Sequence, residues 1–482
     1  MSISSAITAA RSGLLVSGQR ADIVATNVAN ATTPGYVRRS VVVGENMVGT
    51  ATQGVESRGT FRASDSGRTA ERMLLSSDAS QASVKAATWQ TLSSRVGDQA
   101  DGTGLFGMMS NLESALKAAQ AAPESPANLS VILEASRTLV NEFQSLSQLA
   151  ATQRAEADRE IADGVNVVNS ALKEIESLNS QISALNDNSP KSAALKDERQ
   201  RQLDVIAEYL PVESVDRNHG TIDVVTKEGV YLLAGKASQI EFSPSNIFTP
   251  NNTVEGGQLS RLTVGGNDLT PGASSWAATS SGLFGALFTL RDTDLPEFSR
   301  QLDTVAGDLI SRLSADGIDP TTVSGEFGLF VDPDPAAGAG VASRIAINPA
   351  IDPAEGGAIW RMRDGVNTVS EGPPGNSEIL SAMVDALTST RSINAGSIQG
   401  SFTASQLTAQ FASLTGQARV SHEAMLSAAT TQHQLSVEAE QSLTGVDVDS
   451  EMQDLLLIEQ AYAANARVIE VASQMIDRLM EL

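Results

Sequence analysis

Both ends of this chain carry apolar or small residues that step alternately by four and three, a spacing that confines them to helices needing a partner. At the start the row is Ile3, Ile7, Ala10, Leu14, Ser17, Ala21, Val24 and Val28, and only Arg11, Arg20 and Asp22 are charged in the first 30 residues. A helix of about 28 residues would be roughly 42 Å long. Its seam is too narrow to be stable alone. At the other end Val448, Met452, Leu455, Ile458, Tyr462, Asn465, Ile469, Ala472, Ile476 and Leu479 step in the same way. Two terminal helices of matching kind are expected to be each other's partner.

The 482 residues between and including these ends suggest roughly three domains. Aromatics are only 4% against 41% hydrophobic residues, so cores must be built from Ala, Leu, Ile and Val, which favours thin helical contacts. Residues 84–210 read as mostly helical, with a seam at Ile161, Val165, Val168, Leu172, Ile175, Asn179 and Ile182 in which one Asn sets register. Pro123 and Pro126 break this block, and NDNSPKS breaks it again. From Pro211 short alternating runs between Gly, Asn and Pro read as β hairpins. Helix returns over 282–313, loop and strand follow, and helix resumes from Glu378 with an interruption near INAGSIQG. No fixed-period repeat suggests a solenoid.

The expected fold class is therefore α+β and multidomain, with a terminal α-helical coiled-coil domain, a long helical-bundle domain and inserted β-rich outer domains. The boundaries expected are 1–31 with 442–482 for the coiled coil and 32–83 for an extended connector. The bundle takes 84–211 with 281–315 and 378–441, and the β-rich outer region takes 212–280 and 316–377.

Chemistry is sparse. Lys and Arg number 33 against 57 Asp and Glu, a net charge of -24 that repels a phosphate backbone and argues against nucleic-acid binding. Cysteine is absent, which removes disulfides, thiolate metal sites and Cys nucleophiles. The histidines are His219, His422 and His433, and the last two are spaced about 16 Å apart along a helix, too far to share a metal. The stretch 102–107 matches G-x-G-x-x-G, but a dinucleotide site needs a buried strand before it, and the flanks here are polar and helical. Those glycines are expected to make the turn that starts the next helix. Asp332 and Asp334 lie in a turn without Ca²⁺-loop spacing. No nucleophile elbow is present. The expectation is a protein that is not an enzyme, with no metal and no cofactor. The N-terminus has no basic region ahead of an apolar core and no stretch reaches 18 apolar residues, so neither a cleaved secretory signal nor a membrane insertion is expected.

One local constellation is dense: Asn27, Ala29, Asn30, Thr33, Gly35 and Tyr36 within ten residues. Asn and Thr end the first helix, Pro34 followed by Gly35 suits the centre of a type II turn, and Tyr36 starts the extended YVRRSVVV. This pattern behind a small-residue seam resembles the signature of bacterial flagellar rod, hook and hook-associated axial proteins. The C-terminal stretch, with Gln460, Ala461, Tyr462, Ala464, Asn465, Ala466 and Arg467, is similar to that family's closing helix. The helical blocks GLFGMMSNLESALKAAQ, LNSQISALNDNSPKSAALKDERQRQLDVIAEYLPV and SGLFGALFTLRDTDLPEFSRQLDTVAGDLI resemble its members at the hook-filament junction.

The resemblance implies an assembly motif made of Asn27, Ala29, Asn30, Thr33, Gly35, Tyr36, Gln460, Tyr462, Asn465 and Arg467. It also implies a structural adaptor outside the cell, exported by the flagellar type III route without a cleaved signal peptide and self-associated in a tubular ring. The partners implied are the hook protein, a second hook-associated junction protein and an export chaperone. Two alternatives stand beside it: another axial subunit such as the hook protein, and an exported adhesin-like protein whose β-rich middle binds a ligand.

Overall fold

The computed structural model describes residues 3–48, 51–97, 102–185, 188–245, 248–249 and 252–480. Residues 1–2 and 481–482 of the expected coiled-coil domain lie outside them. The chain opens with helix α1 (Ile3–Ala29) and then a long antiparallel hairpin, β1 (Arg39–Val48) and β2 (Ala51–Arg62). Four helices follow: α2 (Ser66–Val96), α3 (Gly104–Ala121), α4 (Pro126–Ser183) and α5 (Pro190–Tyr209). Pro126 and Pro190 each occupy the first helical turn, where a missing N–H costs nothing, behind N-caps Ser125 and Ser189. The proline breaks thus become helix starts.

Seven short strands come next: β3 (Val212–Asp216), β4 (Ile222–Thr226), β5 (Tyr231–Ala234), β6 (Lys236–Ala237), β7 (Ile240–Glu241), β8 (Thr263–Val264) and β9 (Asn267–Asp268). They form an antiparallel sheet ordered β3-β4-β5-β6 and a smaller one ordered β7-β8-β9. Helix α6 (Gly282–Thr289) passes through a π-helical turn into α7 (Leu295–Leu313). Then come β10 (Phe330–Val331), α8 (Val341–Arg344), β11 (Ala346–Ile347), α9 (Arg361–Asp364) and α10 (Glu378–Thr388). A last hairpin, β12 (Arg391–Ala395) with β13 (Ile398–Phe402), leads into α11 (Ala404–Thr444) and α12 (Val448–Met480).

Helix α4, 58 residues and therefore about 87 Å long, runs through two cores. Its first half places Leu139, Phe143 and Leu146 in a core shared with α3, α7 and α8. Its second half places Ile161, Val165, Leu172 and Ile175 against α5, α6 and the strands. Asn179 is buried there, and its amide donates to Ile222 O at 2.8 Å while its carbonyl accepts from Ile222 N at 3.2 Å, which fixes β4 onto the helix. Helices α2 and α11 pair antiparallel: Thr69 and Arg72 meet Glu440 at one end, and Trp89 stacks on His422 further along.

The architecture is α+β with several domains, and four expectations need correction. Segment 32–83 is not an extended connector, because the alternation in YVRRSVVV finds a second strand in β2 and helix already begins at Ser66. Segment 316–377 is not β-rich: among its described residues only β10 and β11 are strands, and Leu329, Phe330, Ile345, Ile351 and Met362 pack into the first core. It is a covering layer. Helix α11 runs past residue 442 to Thr444, so the break before the last helix falls at Gly445. INAGSIQG, read as an interruption, is a β hairpin.

Candidate functional site

The two chain ends meet where the N-terminal signature lies. Helix α1 stops at Ala29, and the amide of Asn30 donates to Thr26 O at 2.9 Å while Thr33 Oγ1 donates to Asn30 Oδ1 at 3.3 Å. The turn then closes with Tyr36 N donating to Thr33 O at 3.1 Å, and Gly35 at its third position has φ +74°. That is the type II geometry, in which a side chain at the third position is strained. A Cβ on Gly35 would also come within 3.0 Å of Arg201 Cγ on α5.

Asn27 is wholly buried and uses all of its amide. Its nitrogen donates to Arg39 O at 2.8 Å and to Glu451 Oε2 at 3.0 Å. Its oxygen accepts from Tyr36 Oη at 2.8 Å and from Arg39 N at 3.1 Å. One side chain thereby ties the end of α1, the turn, the first strand and the start of α12. Glu451 is itself buried and is paired with Arg38 Nε at 2.7 Å. Arg39 lies over the Tyr36 ring at 4.8 Å and reaches Asp197 at 2.5 Å, and Arg62 meets the other oxygen of Asp197 at 2.6 Å. Burial raises the Tyr36 phenol above its ordinary value, Arg39 opposes that, and Asp197 and Glu451 add to it. The phenol is therefore a proton donor to Asn27 throughout the neutral range.

Helix α12 lies antiparallel along α1 through Ile458 and Ala472, both buried, with Leu455, Asn465 and Ile469 half-buried. A Cβ on Gly13 of α1 would fall 2.6 Å from the Asn465 amide nitrogen, so Gly13 is the recess that receives Asn465. The expected seam is offset at its start. Glu451, seven residues before Ile458, takes the buried position, whereas Val448 and Met452 are exposed. Tyr462, Ile476 and Leu479 also stay exposed in the single chain.

The signature residues therefore divide. Asn27 and Tyr36 form the buried network, Asn30, Thr33 and Gly35 shape its turn, and Asn465 seats under Gly13. Ala29, Gln460, Tyr462 and Arg467 face solvent and join none of these contacts. Sequence reading missed Glu451, Arg38, Arg39, Arg62 and Asp197. For Glu451 a signal existed in the heptad spacing to Ile458; for Asp197 none did.

A second row on α12 has no counterpart in the single chain. Leu457, Ala461, Ala464, Val468, Val471, Met475 and Leu479 step mainly by four and three, and every one is exposed. The helix thus carries two apolar seams, of which α1 covers one.

Elsewhere the chemistry is structural. The G-x-G-x-x-G stretch follows a helix, and a Cβ on Gly104 would meet Val96 O at 2.0 Å, while one on Gly107 would meet Gly102 O at 2.0 Å. Gly104 lets the start of α3 approach the end of α2, and Gly107 lets the loop close on α3 at Gly102. Among the described residues no three His, Cys, Asp or Glu side chains converge where they could hold a metal ion, and no helix is long and apolar enough to cross a membrane.

Residues 90–327 match the model of the flagellar hook-associated protein FlgK helical domain, and residues 441–482 match that of the flagellar basal body rod FlgEFG protein C-terminal region. Together the two segments span more than half of the chain. The chain is 25% identical over 317 residues to flagellar hook-associated protein 1 of Escherichia coli (strain K12), which is 63% of this chain and 55% of that protein. To flagellar hook-associated protein 1 of Salmonella typhimurium it is 23% identical over 312 residues, again 63% of this chain and 55% of the relative. The matched stretch thus spans little more than half the length of these relatives. A solved structure, the flagellar hook junction protein FlgK from Burkholderia pseudomallei, superposes with a TM-score of 0.44 at 19% identity over 54% of this chain and 46% of that one.

Proposed function

We propose that this chain is a member of the flagellar hook-associated protein 1 family, a structural subunit of the bacterial flagellum that builds the hook-filament junction by polymerising through its terminal helices. The observation that carries the polymerisation is the second apolar seam of α12. Seven stacked apolar positions left in water on one helix are costly, at about 25 cal/mol per Å². A neighbouring copy packed along that row removes the cost. In this reading residues 1–31 with 445–482 act as the assembly domain. The signature residues serve it in two ways: Asn27, Thr33, Gly35, Tyr36 and Asn465 hold the joined ends in shape, and Gln460, Tyr462 and Arg467 contact neighbours.

The same reading gives the chain no catalytic role and places it outside the cell, exported without a cleaved signal peptide. Its partners are the hook protein below, a second hook-associated junction protein above, and an export chaperone before secretion. The match to a hook-associated helical domain over 90–327 favours the junction over the hook shaft.

The test is complementation of a flagellated strain lacking its own copy, with labelled antibody in electron microscopy of intact flagella. The wild-type chain should give one band where hook meets filament and restore swimming. Val468→Asp with Val471→Asp should leave thermal unfolding within about 0.5 kcal/mol, since both sites are exposed, and yet build no junction. Label spread along the hook or filament, or swimming by the double variant, would defeat the reading.

A further inference from the structure

If the second seam of α12 packs on a neighbour, that neighbour must offer a receiving surface. A second α12 seam is a poor one. Such a contact is self-complementary, closes as a dimer and stops, whereas a ring or tube needs two different patches on each subunit. Charge opposes it as well. Helix α12 holds Asp449, Glu451, Asp454, Glu459, Glu470 and Asp477 against Arg467 and Arg478, so two copies side by side repel.

Among the described residues of the terminal unit, apolar side chains are also left uncovered on the β1–β2 hairpin. In the β1–β2 hairpin Val42, Val43, Met47 and Phe61 are exposed, at 41%, 42%, 57% and 56%. The register pairs Ser40 with Phe61 and Val42 with Gly59, which puts Val42 and Phe61 on one face as diagonal neighbours. The hairpin is a braced platform. A Cβ on Gly54 would lie 2.8 Å from Ala9 Cα, Val55 N donates to Ser12 Oγ at 3.0 Å, and Thr60 N donates to Asn188 O at 2.7 Å.

Charge points the same way. Of the six arginines in residues 3–62, Arg38, Arg39 and Arg62 are already paired with Glu451, Asp454 and Asp197, and Arg11, Arg20 and Arg58 stand against Asp22, Glu45 and Glu56. Arg11 and Arg20 on α1 and Arg58 on β2 are exposed. The platform is thus close to neutral, and unlike a second α12 it offers an apolar face to the acidic helix without like-charge repulsion.

We propose that the exposed face of the β1–β2 hairpin receives the second seam of α12 from another copy of this chain, head to tail. The inference rests on the self-association in the proposed function and adds the surface through which it runs.

The absence of cysteine makes the test direct. Full-length Phe61→Cys, carrying a mass tag, is mixed with untagged Val468→Cys at a concentration where wild type self-associates, and a short bismaleimide is added. The mixture should yield the tagged-untagged adduct, and Val468→Cys alone should stay monomeric on a denaturing gel. As a second measurement, Phe61→Glu should weaken self-association at least tenfold by sedimentation while its thermal unfolding matches wild type. Adducts from Val468→Cys alone without the mixed product, or undiminished association of Phe61→Glu, would overturn the proposal and leave the functional reading standing. A wild-type chain that self-associates under no condition and builds no junction would overturn both.

Discussion

Helices α4 and α12 are both long and both amphipathic, yet they end in opposite states. Helix α4 has every turn of its apolar face covered, from Leu129 to Ile182, first by helices and then by helix and sheet. Helix α12 buries only Glu451, Ile458 and Ala472. A body helix with a covered stripe has its stability built in; a terminal helix with one seam covered and one open has stability left to gain. The difference teaches that burial is complete along the body helix and incomplete along the helix proposed to meet neighbouring copies.

Polar groups follow the same division. In the body Arg291 and Asp158, both wholly buried, pair at 2.6 Å, with Arg291 also against Asp292 and Ser260 O. Arg312 is likewise buried, bonded to Asp308 and to the carbonyls of Ala386, Ser389 and Phe402, so that it closes the end of α10. In the terminal unit the buried network is confined to the turn where α1, the hairpin and α12 converge. It holds one end of the helix pair, while Ile476 and Leu479 near the other end stay exposed.

The largest expected effect lies in the body. Arg291→Ala strands Asp158 without its cation and should cost about 3–5 kcal/mol, read by urea unfolding. A small loss would mean that this core is as open as the chain ends. Next comes Asn27→Ala, which leaves Glu451, Tyr36 and the Arg39 backbone short of partners and should cost about 2 kcal/mol locally. Hydrogen exchange should speed up along α1 and α12 and stay unchanged in α4. Uniform acceleration would show that the two regions unfold as one.

Gly35→Val places a β-branched residue at φ +74° beside Arg201 and should loosen the same turn by about 1–2 kcal/mol. Because Tyr36 already bonds Asn27 within one chain, the loss is expected in the isolated subunit as well as on assembly. A loss seen only on assembly would separate the turn from the folded unit.

Smaller again is an acid effect on the α2–α11 pair. Burial and then Lys85 hold the His422 imidazole below its ordinary value, with Asp294 opposing, and burial and then Arg72 do the same at His433, with Asp204 opposing. The unfolded chain therefore takes up protons first, so stability is full above about pH 6.5 and falls as pH drops from there through the lower folded values. His422→Phe should flatten that slope, measured by thermal unfolding between pH 7.5 and about 5; an unchanged slope would remove His422 from the account. The smallest effect is that of Leu457→Ala, within about 0.5 kcal/mol in the free chain.

Much of this was legible in the residues. Periodicity marked α1, α4 and α12, the prolines marked where helices begin, and Pro34-Gly35 marked a type II turn, because each depends on neighbours a few residues apart. The register at the start of α12 was misread, since Met452 looks like a seam residue and Glu451 does not. A carboxylate becomes a buried residue only when Asn27 and Arg38, more than four hundred residues away, satisfy it. The hairpin was half legible: its first strand alternates, but pairing with β2 involves two register shifts that no local rule sets.

By itself, then, the sequence determined helices α1, α4 and α12, the proline-marked helix starts, the turn and the absence of thiol chemistry, all of which follow from short-range geometry and residue type. Tertiary structure alone decided that segment 316–377 covers a helical core, that Asn27 is the knot between the chain ends, and that α12 keeps one apolar seam open. Those outcomes depend on which surfaces meet across long separations, where burial and hydrogen-bond satisfaction are shared among segments and no single segment carries the information.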